Sequence, residues 1–171
     1  MQAETNTHIR DGDLGVLHRT PGRCAFGHCG NVALQAWFEP PDAAIARILH
    51  TSSLKLIQQY PMGLSSIHWL RTGGQLPDQE TRVLLRQTLS ETGHHFGQLV
   101  FVMTGNGFWA SAARGMLTSL GFAARNRDAF RVVPTIEDAV AWLAEPHRLR
   151  TGVSIDRVHL AATMSQLVDT V

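Results

Sequence analysis

Leu99-Val100-Phe101-Val102-Met103 is an unbroken run of five apolar residues, and Thr104-Gly105-Asn106-Gly107 follows it directly. A strand with no polar position needs cover on both faces, so this run predicts a strand inside a parallel sheet rather than at its edge. The glycines behind it predict a turn into a helix over 108–120, closed by Gly121. Upstream, Pro77, Asp78 and Glu80 suit the first turn of a helix, and the pattern 78–92 ends at Gly93 with His94 and His95 beyond. These two helices flank the central strand.

The same alternation continues in both directions. Val32, Leu34, Ala36 and Phe38 recur at period two, the pattern of a strand with one buried face. Glu39-Pro40-Pro41 stops it, and a helix opens at Pro41-Asp42 and runs to about Gln59 on an apolar stripe that includes Ile45, Leu49 and Leu56. Leu64 to Leu70 is a second strand of the alternation, and Phe130, Val132 and Val133 form a last, shorter one. Thr135 is a good N-cap for a helix from Glu137 to Leu143. Successive strand–helix units imply parallel pairing with right-handed crossovers. Before them, Leu14–Arg19 and Arg23–Gly27 read as short strands joined at Thr20-Pro21-Gly22, adding antiparallel beside 31–38. The expected fold class is therefore α/β: a mostly parallel, mixed sheet with N-terminal antiparallel strands, alternating helices and a C-terminal amphipathic helix.

Three segments divide the chain: a polar stretch 1–13, the α/β domain 14–146, and a hinge with a helix over 147–171. The hinge is read from Pro146 and Thr151-Gly152. The final helix carries Leu160, Met164, Leu167 and Val171 along one stripe, with Ser154 or Asp156 as its cap.

Composition narrows the partners. The 171 residues, 44% hydrophobic and 17% charged, suffice for one core. Fifteen Lys and Arg against fourteen Asp and Glu leave a net charge of +1, too little to steer the chain to nucleic acid. No stretch has the length of a membrane span, and the polar start lacks a secretory h-region, so a cytoplasmic location is expected. Two cysteines, Cys24 and Cys29, are spaced so that they either bridge or sit as small apolar groups in a hairpin.

Motifs for chemistry are weak. Gly105-Asn106-Gly107-Phe108-Trp109-Ala110 fits G-x-G-x-x-A after a buried strand, the setting of a phosphate-binding turn. It follows the third strand of the alternation, however, and no acidic residue ends the next one, which favours a structural turn. Cys24, His28 and Cys29 lack the second pair of ligands that a zinc site uses. The nine histidines are scattered, and His94-His95 suit the negative end of a helix dipole. No P-loop, G-x-S-x-G or H-E-x-x-H occurs. No cofactor and no metal are expected. The strand ends offer Arg71, Glu39, Phe108 and Trp109, a set better suited to a protein contact or an amphiphilic ligand than to catalysis.

Two stretches carry a family resemblance. Gly107-Phe108-Trp109-Ala110-Ser111-Ala112-Ala113-Arg114-Gly115 is similar to a helix start, and Thr135-Ile136-Glu137-Asp138-Ala139-Val140-Ala141-Trp142-Leu143 to the closing helix, of small STAS/SEC14-like proteins of myxobacteria. Together with the element order, they make residues 14–145 resemble the STAS fold of bacterial anti-anti-sigma antagonists. Antagonist-type members present a phosphorylatable hydroxyl after an Asp at the start of a helix. The matching stretch, Arg71 to Asp78, holds only Thr72, with no Asp before it. What the resemblance implies is a non-enzymatic module that binds a protein or a small apolar ligand.

The leading expectation is a regulatory or scaffolding module that binds a protein partner, or itself, through the strand-end rim and the C-terminal helix. Its contact residues would be Arg71, Thr72, Gly73, Asn106, Gly107, Phe108, Trp109 and Arg114 on the rim, and Leu160, Met164 and Leu167 as a docking stripe. One alternative is a small-molecule carrier or enzyme, for a lipid-like ligand or a nucleotide, with a site above Gly105–Gly107. Another is a structural subunit of a larger assembly.

Overall fold

The computed structural model describes residues 13–71, 76–104, 111–112, 114–115 and 129–171. Six strands form one sheet in the order of the chain: β1 (Leu14–Thr20), β2 (Cys24–Cys29), β3 (Val32–Trp37), β4 (Leu64–Leu70), β5 (Phe96–Met103) and β6 (Phe130–Val133). β1, β2 and β3 pair antiparallel, and β3 to β6 pair parallel. The α/β class, the N-terminal antiparallel strands and the interior position of 99–103 are as the sequence pattern requires.

Helix α1 (Ala43–Gln59) links β3 to β4, and α2 (Gln79–Thr92), continued by a 3-10 turn (Gly93–His95), links β4 to β5. Right-handed crossovers that always step to the next strand place their helices on one face. That face packs Phe26, Trp37, Ile45 and Leu49 in one cluster and Leu56, Leu64, Leu99 and Phe101 in another. Asp42 caps α1 by accepting from the Ile45 N–H, and Asp78 caps α2 by accepting from the Thr81 N–H. Pro77 thus precedes the cap of α2 instead of lying in its first turn, and Gly93 keeps right-handed helical geometry (φ −60°).

The opposite face is covered after the last strand. Helix α3 (Ile136–Thr151), capped by Thr135, packs on β4 and β5; α4 (Arg157–Asp169), capped by Asp156, packs on β2 and β3. Two expectations are corrected here. The helix expected to stop at Leu143 runs eight residues further, through Pro146, to a left-handed Gly152 (φ 76°). Proline interrupts a helix mainly by withholding one N–H, and the packing of Leu143, Ala144 and His147 outweighs that loss. The break thus falls at Thr151-Gly152, as read from the sequence, and not at Pro146. Second, β3 is buried on both faces rather than one, because α1 and α4 cover it from opposite sides.

The C-terminal helix belongs to the core. Leu160, Met164 and Leu167 are at most 2% exposed and pack with Ala25, Leu34 and Leu143. A free docking stripe was read from the same spacing; this chain's own sheet occupies it. The helix is also tied at its end, where the Gly22 N–H donates to the Val171 carbonyl at 2.8 Å. Deleting residues 153–171 should accordingly lower the urea midpoint of the remaining sheet, and Met164→Ala should cost about 2–5 kcal/mol, as for other large-to-small core changes. Urea titrations followed by circular dichroism check both.

Candidate functional site

The carboxyl ends of β3 and β4 meet at the rim on which ligand and partner contacts were expected. The Arg71 N–H donates to the Trp37 carbonyl at 2.8 Å, and the Phe38 N–H donates to the Arg23 carbonyl at 2.8 Å. These bonds fix the exits of both strands side by side. They bring the Phe38 and Trp69 rings to 5.0 Å between centroids and set the Arg71 guanidinium 6.0 Å from the centre of the Phe38 ring. Both rings are half-buried and Arg71 is exposed. The neighbouring Arg23 is neutralised by Asp42 and Glu39, at 3.0 and 2.9 Å. Among the described residues no carboxylate forms an ion pair with Arg71.

The described helix starts on this rim do not favour an anion. The capping bond from the Ile45 N–H, with Arg23 beside it, holds the Asp42 carboxyl below its ordinary range; the Thr81 N–H does the same to Asp78. Thr135 caps α3, whose first turn carries Glu137 and Asp138. At each start a capping side-chain oxygen already takes a free N–H, and the nearby carboxylates repel phosphate. Of the rim residues named from sequence, Arg71 is in place and Arg114 is half-buried. Thr72, Gly73, Asn106, Gly107, Phe108 and Trp109 lie outside the described residues, as does the turn proposed to hold a phosphate.

A second polar group lies inside the sheet. Ser65 and Ser66 follow one another at the start of β4, so their side chains leave opposite faces. The Ser65 oxygen is 2.8 Å from His147 Nδ1, and His147 Nε2 is 2.9 Å from Asn31 Oδ1. Asn31 Nδ2 donates to the Gly63 carbonyl at 3.2 Å, which fixes the orientation of its amide. His147 therefore carries its proton on Nε2, donated to Asn31, and Nδ1 accepts the Ser65 hydroxyl. On the other face Ser66 is 2.7 Å from His68 Nε2, and the His68 ring stacks on Phe101 at 4.4 Å.

Serine, histidine and asparagine in a row are the components of a nucleophilic triad, but burial argues against that chemistry. Ser65 and His147 are fully buried and Asn31 is 7% exposed, so a substrate carbonyl has no path to the serine oxygen. The mainly apolar crevice beneath α1, lined by Leu17, Phe26, Leu49 and Leu56 with Gln35, Ser52 and Ser53 among them, holds about 10 Å³, room for a single water. It is far below the size of a small-molecule site.

The cysteines are settled by strand geometry. Five positions apart in β2, they face opposite sides of the sheet and remain free thiols, which removes the bridge. Burial pushes both thiols up from their ordinary pKa, away from the thiolate needed by a nucleophile or a metal ligand. Among the described residues no three His, Cys, Asp or Glu side chains converge on a metal position, and no helix is long and apolar enough to cross a membrane.

Sequence reasoning missed Phe38, Trp69 and the Ser65–His147–Asn31 row as sites. Alternation could have placed Trp69 and Ser65 on one face of β4. Nothing in the sequence joins Asn31 to His147, 116 positions away. No family model matches the chain, and neither a curated protein nor a solved structure shows significant similarity to it.

The buried histidines make stability depend on pH. Burial holds His147 down from 6.5 to about 4 and His68 down to about 3. The unfolded chain binds these protons first as pH falls, so the stabilisation is complete above pH 6.5. It should decline towards pH 4 through His147 and on towards pH 3 through His68. Urea midpoints measured from pH 7.5 downwards should show this fall, and His68→Gln should make it shallower.

Proposed function

We propose that this chain is a non-enzymatic regulatory or scaffolding module that binds a protein partner through the strand-end rim around Phe38, Trp69 and Arg71. The observation that carries the reading is the Arg71–Phe38–Trp69 group, an exposed cation without an acidic partner among the described residues, set over the half-buried Phe38 ring, which meets half-buried Trp69 at a tilt. Arginine and large aromatics dominate binding energy where proteins meet, because they bury much area while losing little conformational freedom. The resemblance of the chain to STAS domains, which act by binding partners, points the same way. The C-terminal helix is left out of the contact surface because its apolar stripe is buried. A cytoplasmic partner is the one proposed.

Affinity capture of the tagged full chain from its native cells, with mass spectrometry, tests the proposal. Arg71→Glu, at an exposed position, should leave the melting temperature unchanged and lower recovery of the specific partner about 30-fold or more, the equivalent of a 2 kcal/mol hot spot. Phe38→Ala should do the same with some loss of stability. Partner recovery unaffected by either variant would sink the rim as the contact surface, and turnover of a substrate by the purified chain would sink the non-enzymatic reading.

A further inference from the structure

Residues 147–171 are joined to the rest of the molecule in an unusual way. Pro146 lies inside α3 and has no N–H to give to the Trp142 carbonyl, so the backbone ladder is already broken where the last turn begins. Beyond it, the helix is fastened to the sheet by side chains. His147 joins Ser65 and Asn31, and Arg150 reaches across Gly97 to the His94 carbonyl at 2.8 Å. A Cβ on Gly97 would lie 2.5 Å from the Arg150 side chain, so the glycine clears the path. After the left-handed Gly152 comes α4, and none of the described strands lies within 147–171, so moving this segment breaks no pairing among them.

His147 is the sensitive member of these fastenings. Both ring nitrogens are committed, one as donor and one as acceptor. A second proton would give Nδ1 a hydrogen that faces the hydroxyl of Ser65, which now donates there. The added charge would also be buried without a carboxylate. On this face β3 presents Val32, Leu34 and Ala36, β4 presents Ser65, Ile67 and Trp69, and β5 presents Val100 and Val102, none of them titratable. β6 adds the cation Arg131, and β2 adds Cys29, whose thiol stays neutral and bonds Thr163 of α4. Within α3 Arg150 repels a charged His147, and His94 and His95 lie next to Arg150. On α4 the ionisable Asp156, Arg157 and His159 are exposed at the helix start.

We propose that residues 147–171 form an acid-released flap: protonation of His147 frees the last turn of α3 together with α4, while the sheet and the first half of α3 stay folded. Ala139, Val140 and Leu143 share a cluster with Ile67, Val100, Val102 and Val133 as well as with α4, so that first half keeps its contacts to β4 and β5 when α4 leaves. Release uncovers the apolar strip of β2 and β3 that includes Ala25, Val32, Leu34 and Ala36. The device is separate from the partner rim proposed above.

Hydrogen exchange on the full chain, followed peptide by peptide from pH 7.5 to 4.5 and corrected for intrinsic exchange, tests it. One proton taken up on opening raises the open population up to about tenfold per pH unit below the ordinary histidine pKa. That rise is expected in 147–171 and not in β3, β4 or β5, and His147→Gln should abolish it. If that variant does not fold, the 15N shifts of the wild-type His147 ring should change over the same pH interval as the exchange. Exchange of 147–171 that ignores pH, that rises only together with the whole sheet, or that does not follow the ring protonation overturns the proposal.

Discussion

Two adjacent serines at the start of β4 set the terms on which this fold buries its interior. Successive strand residues face opposite ways, so Ser65 and Ser66 each enter a different half of the core, and each meets a histidine there. A buried imidazole without a partner would lose its hydrogen bonds to water and gain nothing. With a serine at 2.7–2.8 Å, it packs as a flat, neutral ring. His68 does so against Phe101 on the α1–α2 face, and His147 does so between β4 and the β2–β3 turn on the other. Ser65 thereby ties β4 to α3, while Ser66 fixes the His68 ring of the same strand against Phe101 of β5.

Clearance matters as much as contact at the amino ends of the parallel strands. Gly63 and Gly97 lie where Arg150 crosses from α3 to the His94 carbonyl, and a side chain at Gly97 would collide with it. At the carboxyl ends the opposite holds. The helix starts there are closed by Asp42, Asp78 and Thr135, and the strand exits are bonded to one another. Among the described residues this rim presents two tilted rings, Phe38 and Trp69, beside the exposed Arg71.

The two helices that follow β6 bear on how function and stability are related. An amphipathic stripe at a chain end reads equally well as a docking surface or as a missing piece of core, because the hydrophobic effect has no direction. Leu160, Met164 and Leu167 are core, and the sheet face under them has no other cover among the described residues. Proline at 146 gave the impression of a boundary. The helix passes through it because burial of His147 and Leu143 on the same side outweighs one absent backbone bond.

Local patterning determined most of the architecture. The apolar run 99–103 placed β5 inside the sheet, period-two alternation located β3, and Asp42, Asp78 and Thr135 marked helix starts, since propensity, capping and alternation act over a few residues. The sequence by itself thus determined the α/β class and the mixed strand pairing. Only the tertiary structure decided that Asn31, Ser65 and His147 form one row, that Phe38 meets Trp69 and lies under Arg71, and that α4 is core. Those contacts join residues far apart in the chain, and their partners are chosen by which surfaces the folded sheet leaves uncovered, a property no short window of sequence contains.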